Sequence, residues 1–186
     1  LALSLRRAWR SRGTRAAIRG LDVRPVAADQ FRALDRSAWT APRDRVVAAD
    51  STEFIVSRYL ECPFATRRLF GLFERGTDRL QAYAITEGTD RIDVWNCQSN
   101  SARLDVPAAL VAFGTAFDNA EAITATTSRG SLLSGDLARA GFVLRPAEKS
   151  PNPERRLNIT LAANNPLTAA LDDFSRWDIW LGASQY

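Results

Sequence analysis

The stretch LFGLFERGTDRLQAYAITEGTDRIDVWNC, residues 69–97, decides the fold of this chain. It opens with the apolar run LFGLF. Two further segments follow, 80–85 and 92–97, in which apolar residues at positions 80, 82 and 84 and at positions 92 and 94 occupy every second position. The turn sequences RGTD at 75–78 and EGTD at 87–90 separate these three segments. Alternation over short segments joined by glycine-containing turns is typical of antiparallel strands. The stretch therefore predicts a three-stranded antiparallel meander.

Helical periodicity replaces the alternation after the meander. Val106, Leu110, Phe113 and Phe117 recur at helical spacing, and Asp105 stands before them with Pro107 at the first turn. Similar patterns predict helices at 27–39, 50–60, 131–140 and 167–174, and strands at 122–126, 142–144, 156–162 and 177–181. This order predicts an α+β fold with a mixed, mostly antiparallel twisted sheet flanked by helices.

The composition of the chain excludes several kinds of chemistry. The chain has 186 residues, of which 46% are hydrophobic and 25% charged, as in an ordinary globular domain. It has no His, which excludes a Ser-His-Asp triad, a His base and a His metal ligand. Its two Cys cannot form a four-thiolate zinc site, and no metal ligands are assigned. No apolar run reaches the ~20 residues of a transmembrane helix, so we expect no membrane span.

The positive charge of the chain is concentrated at its N-terminal end. Residues 1–24 hold seven Arg against one acid, Asp22, whereas residues 25–186 are close to neutral. We therefore divide the chain into a basic N-terminal arm or linker, 1–24, and a folded domain, 25–186. The arm is interpreted as a solvated linker, as a short amphipathic helix over 1–9, or as a contact for nucleic acid or anionic lipid. Nucleic acid is the less favoured partner because no aromatic or glycine-rich platform follows the arm.

The start of the chain also bears on its organisation. The first residue is Leu1, and Met is absent from the whole sequence. We therefore expect the chain to be a piece of a longer protein, or a processed one. An upstream module or a second copy of the chain is accordingly considered as a partner.

The order of elements, read as far as Gly141-Phe142, resembles that of the GNAT acyltransferase superfamily. The resemblance covers roughly residues 22–186 and is strongest to the C-terminal half of two-module bacterial GNAT-like proteins. In those halves a segment Trp-Arg-Tyr-x-x-x-Pro precedes the meander, and the stretch 57–63, SRYLECP, matches it except for Ser57 in place of Trp. Their closing Trp-x-Ile-Thr is matched in part by WDIW at 177–180.

The resemblance implies a site for acetyl-CoA or another acyl-CoA after the third strand of the meander. Family members hold the pyrophosphate on backbone N–H groups of a Gln/Arg-x-x-Gly-x-Gly/Ala loop at a helix N-terminus. The aligned stretch 98–103, QSNSAR, keeps Gln98 but has Ser101 and Arg103 in the glycine positions. Backbone donors at the end of the strand would polarise the thioester carbonyl. The residues expected at the cofactor are Trp95, Asn96, Cys97, Gln98, Ser99, Asn100, Ser101, Ala102 and Arg103.

Candidate catalytic groups lie on the meander. Many family members place a Tyr that serves as the general acid four residues before the Gly-Phe pair, where this chain has Leu137. Tyr83 is the substitute candidate, and core packing is its alternative. Asp93 is the candidate general base, with cross-strand pairing to an Arg as its alternative. Glu87 is interpreted as a solvated turn acid, and Cys97 as a small buried hydrophobe rather than a nucleophile.

Three functions follow from the resemblance and the charge. The leading one is an acyl-CoA-dependent N-acyltransferase, or a module of one, that transfers an acyl group to a small-molecule or peptide amine. The second is a degenerate, non-catalytic GNAT-like half that packs against an upstream catalytic module. The third is binding of an anionic surface through the arm. The low cysteine content and the absence of a secretory signal predict a cytoplasmic location.

Overall fold

The three predicted strands of the meander are present in the computed structural model and form the middle of its main sheet. The structure describes residues 2–4, 18–37, 39, 46–47, 51–64, 66–100, 104–117, 120–127, 131–145 and 177–178. The predicted strand 156–162, the predicted helix 167–174 and residues 5–17 of the arm lie outside these ranges. The strands are β1 (Ala2–Ser4), β2 (Leu21–Val26), β3 (Val46–Val47), β4 (Arg67–Glu74), β5 (Leu80–Glu87), β6 (Arg91–Ser99), β7 (Ala122–Thr126), β8 (Val143–Arg145) and β9 (Trp177–Asp178).

The main sheet is mixed and mostly antiparallel, as predicted. Its strand order is β2-β4-β5-β6-β7-β1-β8, and β3 pairs with β9 in a separate two-stranded sheet. All neighbours in the main sheet are antiparallel except β6 and β7, which run parallel. The chain is therefore an α+β protein.

Four α-helices accompany the sheet within the described residues. They are α1 (Ala28–Ala33), α2 (Thr52–Ile55), α3 (Val106–Ala116) and α4 (Leu132–Arg139), and a π-helical turn, Val56–Leu60, extends α2. The hydroxyl of Ser51 caps α2 by accepting from the backbone N–H of Phe54 at 3.1 Å. Helix α4 ends as predicted before Gly141, whose φ of 94° is the left-handed conformation that glycine adopts most readily. None of the helices in the described ranges is long and apolar enough to cross a membrane.

Helix α1 is shorter than the predicted span 27–39. It ends at Ala33, and Leu34 is already extended with φ −77° and ψ 125°. The Asp35 carboxylate accepts the backbone N–H of Ser37 at 2.8 Å, which replaces a helical hydrogen bond with a local turn. A side-chain hydrogen bond from Ser37, together with this backbone hydrogen bond, lowers the pKa of Asp35. The apolar spacing continued beyond the point at which this local side-chain bond ends the helix.

Part of the N-terminal arm belongs to the main sheet. Backbone pairing places Ala2–Ser4 between β7 and β8, antiparallel to both. The amphipathic helix considered for 1–9 is therefore wrong at these three residues. Strand β2 pairs with β4 from Leu21 to Val26 and so continues across the expected boundary between residues 24 and 25.

Each face of the sheet carries its own apolar cluster. On one face Leu110 and Phe113 of α3 pack with Leu133 and Leu137 of α4 over small and branched residues of the strands. On the other face residues of α1, α2 and its π-helical turn pack over β4 and β5: Phe31, Ile55, Val56, Tyr59, Leu69, Tyr83 and Ile85. The strands of the meander are therefore covered on both sides, and a functional site must lie at an end or an edge of the sheet.

Candidate functional site

Strand β6 pairs with its parallel neighbour β7 only along its first half. It pairs with β7 from Arg91↔Ala122 to Val94↔Ala125, one residue before β7 ends, and continues to Ser99 paired with β5 on its other side. The end of the β6–β7 pairing coincides with an irregularity in the β5–β6 pairing, where Thr86 pairs with Val94 and Ile85 with Asn96. Trp95 is thus the extra residue of a β-bulge, a feature that re-aims side chains and is common beside functional sites.

The residues predicted at the cofactor extend from this bulge to the end of β6. Trp95, Gln98 and Ser99 are half-buried, whereas Asn96, Cys97 and Asn100 are buried. Ser101, Ala102 and Arg103 lie outside the described residues. Burial raises the pKa of the Cys97 thiol, which favours the protonated form and agrees with its interpretation as a small buried hydrophobe.

The N-terminus of α3 is occupied by a carboxylate. The helix begins at Val106, three residues after the predicted pyrophosphate loop ends. The Asp105 side chain accepts the backbone N–H of Ala108 at 2.7 Å, and Pro107 has no N–H to offer. A carboxylate satisfies the positive end of a helix in the way a bound phosphate would. The helix end is therefore already neutralised, and it does not fit a second anion such as a pyrophosphate.

Tyr83 lies inside the apolar core. Its side chain is fully buried, its ring centre is 5.1 Å from that of Phe31, and it stacks on Trp39 at 6.1 Å. The guanidinium carbon of Arg36 lies 5.4 Å from the centre of the same ring. A general acid must reach the leaving group, so this burial favours the core-packing alternative for Tyr83 over the catalytic one.

At the end of the sheet where β4 begins and β5 ends, polar side chains form a row across four strands. Arg67 pairs with Glu87, Glu87 with Asp93, and Asp93 with Thr124, so the four positions share one face of the sheet. Arg67 Nε lies 3.4 Å from Glu87 Oε2, and the Thr124 hydroxyl donates to the Asp93 carboxylate. We call this set, Arg67, Glu87, Asp93 and Thr124, the polar row.

The polar row changes two of the predicted assignments. Asp93 is exposed, and the partner the structure gives it is Thr124 rather than an Arg. Glu87 was expected to be a solvated turn acid, but it is the last residue of β5 and forms an ion pair with Arg67. Arg67 was not among the predicted site residues. Its only signal in the sequence is its place at the start of an apolar strand, which does not distinguish it from its neighbour Arg68.

Comparisons with known proteins identify no family. No family model matches the chain, and no curated protein matches it. The chain is similar to the crystal structure of a functionally unknown conserved protein from Staphylococcus epidermidis ATCC 12228, with a TM-score of 0.49 and 9% sequence identity over 76% of this chain. The chain spans 56% of that protein's length. A similarity of this degree supports no conclusion about fold or function.

Proposed function

We propose that the chain is a GNAT-like module for acyl transfer from acyl-CoA to an amine. The observation that carries the proposal is the end of the β6–β7 pairing after Val94, directly before the bulge at Trp95. Beyond Val94 this edge of β6 pairs with no strand of the described residues. An extended acyl-thioester arm can lie along such a strand and accept hydrogen bonds from its backbone N–H groups.

The two parts of the cofactor fit this region unequally. The edge of β6 suits the extended arm, whereas the Asp105 carboxylate opposes a pyrophosphate at the N-terminus of α3. We therefore assign no reaction step through the cofactor. The paired residues Glu87 and Asp93 lie on the same two strands as the bulge, and their carboxylates can bind a cationic amine in the polar row.

Neutralising the cap of α3 should strengthen acyl-CoA binding. In Asp105→Ser the hydroxyl still caps the helix, but the negative charge facing the pyrophosphate is removed. Because one charge at a helix N-terminus contributes about 0.3–1 kcal/mol, we expect the Kd for acetyl-CoA to fall by roughly two- to fivefold. Isothermal titration of acetyl-CoA at low salt measures the change.

The matched control for this variant is Asp90→Ser. It removes the same charge from the turn between β5 and β6, at the opposite end of β6 from α3. It should leave the Kd unchanged. If the wild-type chain and Asp105→Ser both fail to bind at millimolar acetyl-CoA, the acyl-transfer proposal is wrong.

The second candidate function is a non-catalytic GNAT-like half that packs against a catalytic module. The Asp105 cap favours it, because a helix end that has its own carboxylate does not need a bound anion. The burial of Tyr83 favours it as well, since the one tyrosine on the meander is then inaccessible to a leaving group. Absence of acetyl-CoA binding in both proteins of the titration is the result that this candidate predicts.

A further inference from the structure

The guanidinium of Arg67 is buried, and one of its N–H donors has no hydrogen-bond acceptor among the described residues. Its side chain is 3% exposed, and the partly exposed carboxylate of Glu87 lies 3.4 Å from its Nε. Its Nη1 atom is buried and has no hydrogen-bond partner among the described residues. Leaving a buried charged donor without an acceptor destabilises the fold. The arrangement therefore indicates an acceptor that the described residues do not supply.

Trp95 supplies a second donor of the same kind beside Arg67. The guanidinium carbon of Arg67 lies 3.9 Å from the centre of the Trp95 ring, so the two groups are stacked. The indole Nε1 of Trp95 is buried too, and the part of the chain that the structure describes offers it no acceptor. Trp95 is the extra residue of the bulge in β6.

Two adjacent N–H donors, one of them cationic, suit a carboxylate. A carboxylate has two coplanar acceptor oxygens, and a guanidinium holds it by charge-assisted hydrogen bonds. The neighbours of Arg67 in the polar row, Glu87 and Asp93, are anionic and would repel a simple anion. They would attract a ligand that carries an ammonium group as well as its carboxylate.

We propose that Arg67 and Trp95 bind the carboxylate of an amino-acid-like ligand, with its ammonium group towards Glu87 and Asp93. This inference rests on the proposed acyl-transfer function only in naming that ligand as the acceptor amine. The amine would then lie beside the bulge, where the pairing of β6 with β7 ends. The substrate class is thus an amine that carries a carboxylate on the same small molecule or at a peptide end.

The indole N–H of Trp95 reports directly on occupation of this site. We would record nitrogen–proton correlation spectra of the full chain and assign the Trp95 indole signal by its loss in Trp95→Phe. Glycine, glycinamide and sodium acetate would be titrated at constant ionic strength near neutral pH, without cofactor. Glycine should move the signal saturably at millimolar concentration, glycinamide should leave it in place, and acetate should require higher concentrations.

Variants separate binding from general effects on the fold. Arg67→Gln should abolish the response to glycine. Arg68→Gln should keep it, because Arg68 is exposed and donates to the carbonyl of Gly88 instead. An indole signal that no probe moves, an equal response to glycinamide, or an equal response to acetate would overturn the proposal. The comparison of probes on the wild-type chain decides the matter even if Arg67→Gln does not fold.

Failure of this inference can be told apart from failure of the proposed function. Glycine binding without acetyl-CoA binding would leave the carboxylate site in place and remove acyl transfer. Acetyl-CoA binding without a glycine response would do the reverse, since the cofactor site at the edge of β6 does not depend on Arg67.

Discussion

Leu110→Ala should lower the free energy of unfolding by about 3–5 kcal/mol, the range for a leucine whose deletion leaves a cavity in a rigid core. Leu110 is fully buried on the inner face of α3, in the cluster that includes Ala84, Ile92 and Phe113. Alanine favours the helix at least as well as leucine does, so the loss would reflect packing against the sheet rather than helix propensity. Urea denaturation at a constant m-value measures the change.

The same substitution at Leu132 provides the control. Leu132 is the first residue of α4 and is 39% exposed, so its truncation should cost less than about 1 kcal/mol. Equal losses in the two variants would mean that α3 does not pack on the sheet as described. That result would also remove the basis for placing the end of α3 beside the end of β6.

Gly88→Ala is expected to cost about 3 kcal/mol, from backbone strain and steric overlap together. Gly88 lies in the turn between β5 and β6 with a φ of 95°, a conformation that residues with a side chain rarely adopt. A Cβ at this position would also overlap the carbonyl oxygen of Arg91. The turn would have to move, and the pairing of Glu87 with Asp93 begins directly beside it. Chemical denaturation gives the loss of stability.

Gly76→Ala isolates the strain from the overlap. Gly76 has a φ of 74° in the turn between β4 and β5, and a Cβ there would meet nothing within 4 Å. Strain alone should cost about 1 kcal/mol. If both alanine variants lost the same stability, the close approach of Arg91 to Gly88 would not exist in solution.

Local patterns predicted those parts of the fold that local forces determine. The meander, α3 with its Asp105 cap, and α4 with Gly141 behind it all follow from alternation, helical spacing and turn chemistry. Helix α1 departed from its pattern where the Asp35 side chain bonded to the backbone of Ser37. The strand at 2–4 could not be predicted, because its pairing depends on partners more than 100 residues further along.

The candidate site was predictable along β6 but not across the sheet. The position of the strand led to Asp93 and Trp95 directly. The bulge at Trp95 was not visible, since it arises from a mismatch of two residues against one in pairing with β5. The importance of Arg67 was hidden for a related reason. Its guanidinium lies against the rings of Trp95 and Tyr59, and no local pattern records these contacts.

The position of β1 determines which part of the sheet is assembled last. In the described residues β8 joins the sheet only through β1, and β1 reaches the rest of the sheet only through β7. During synthesis Ala2–Ser4 leave the ribosome before their two partners, which follow more than 100 residues later. At ordinary translation rates this interval is on the order of ten seconds. The meander can form early from neighbouring segments, whereas this edge must close a long loop and so is expected to be assembled last.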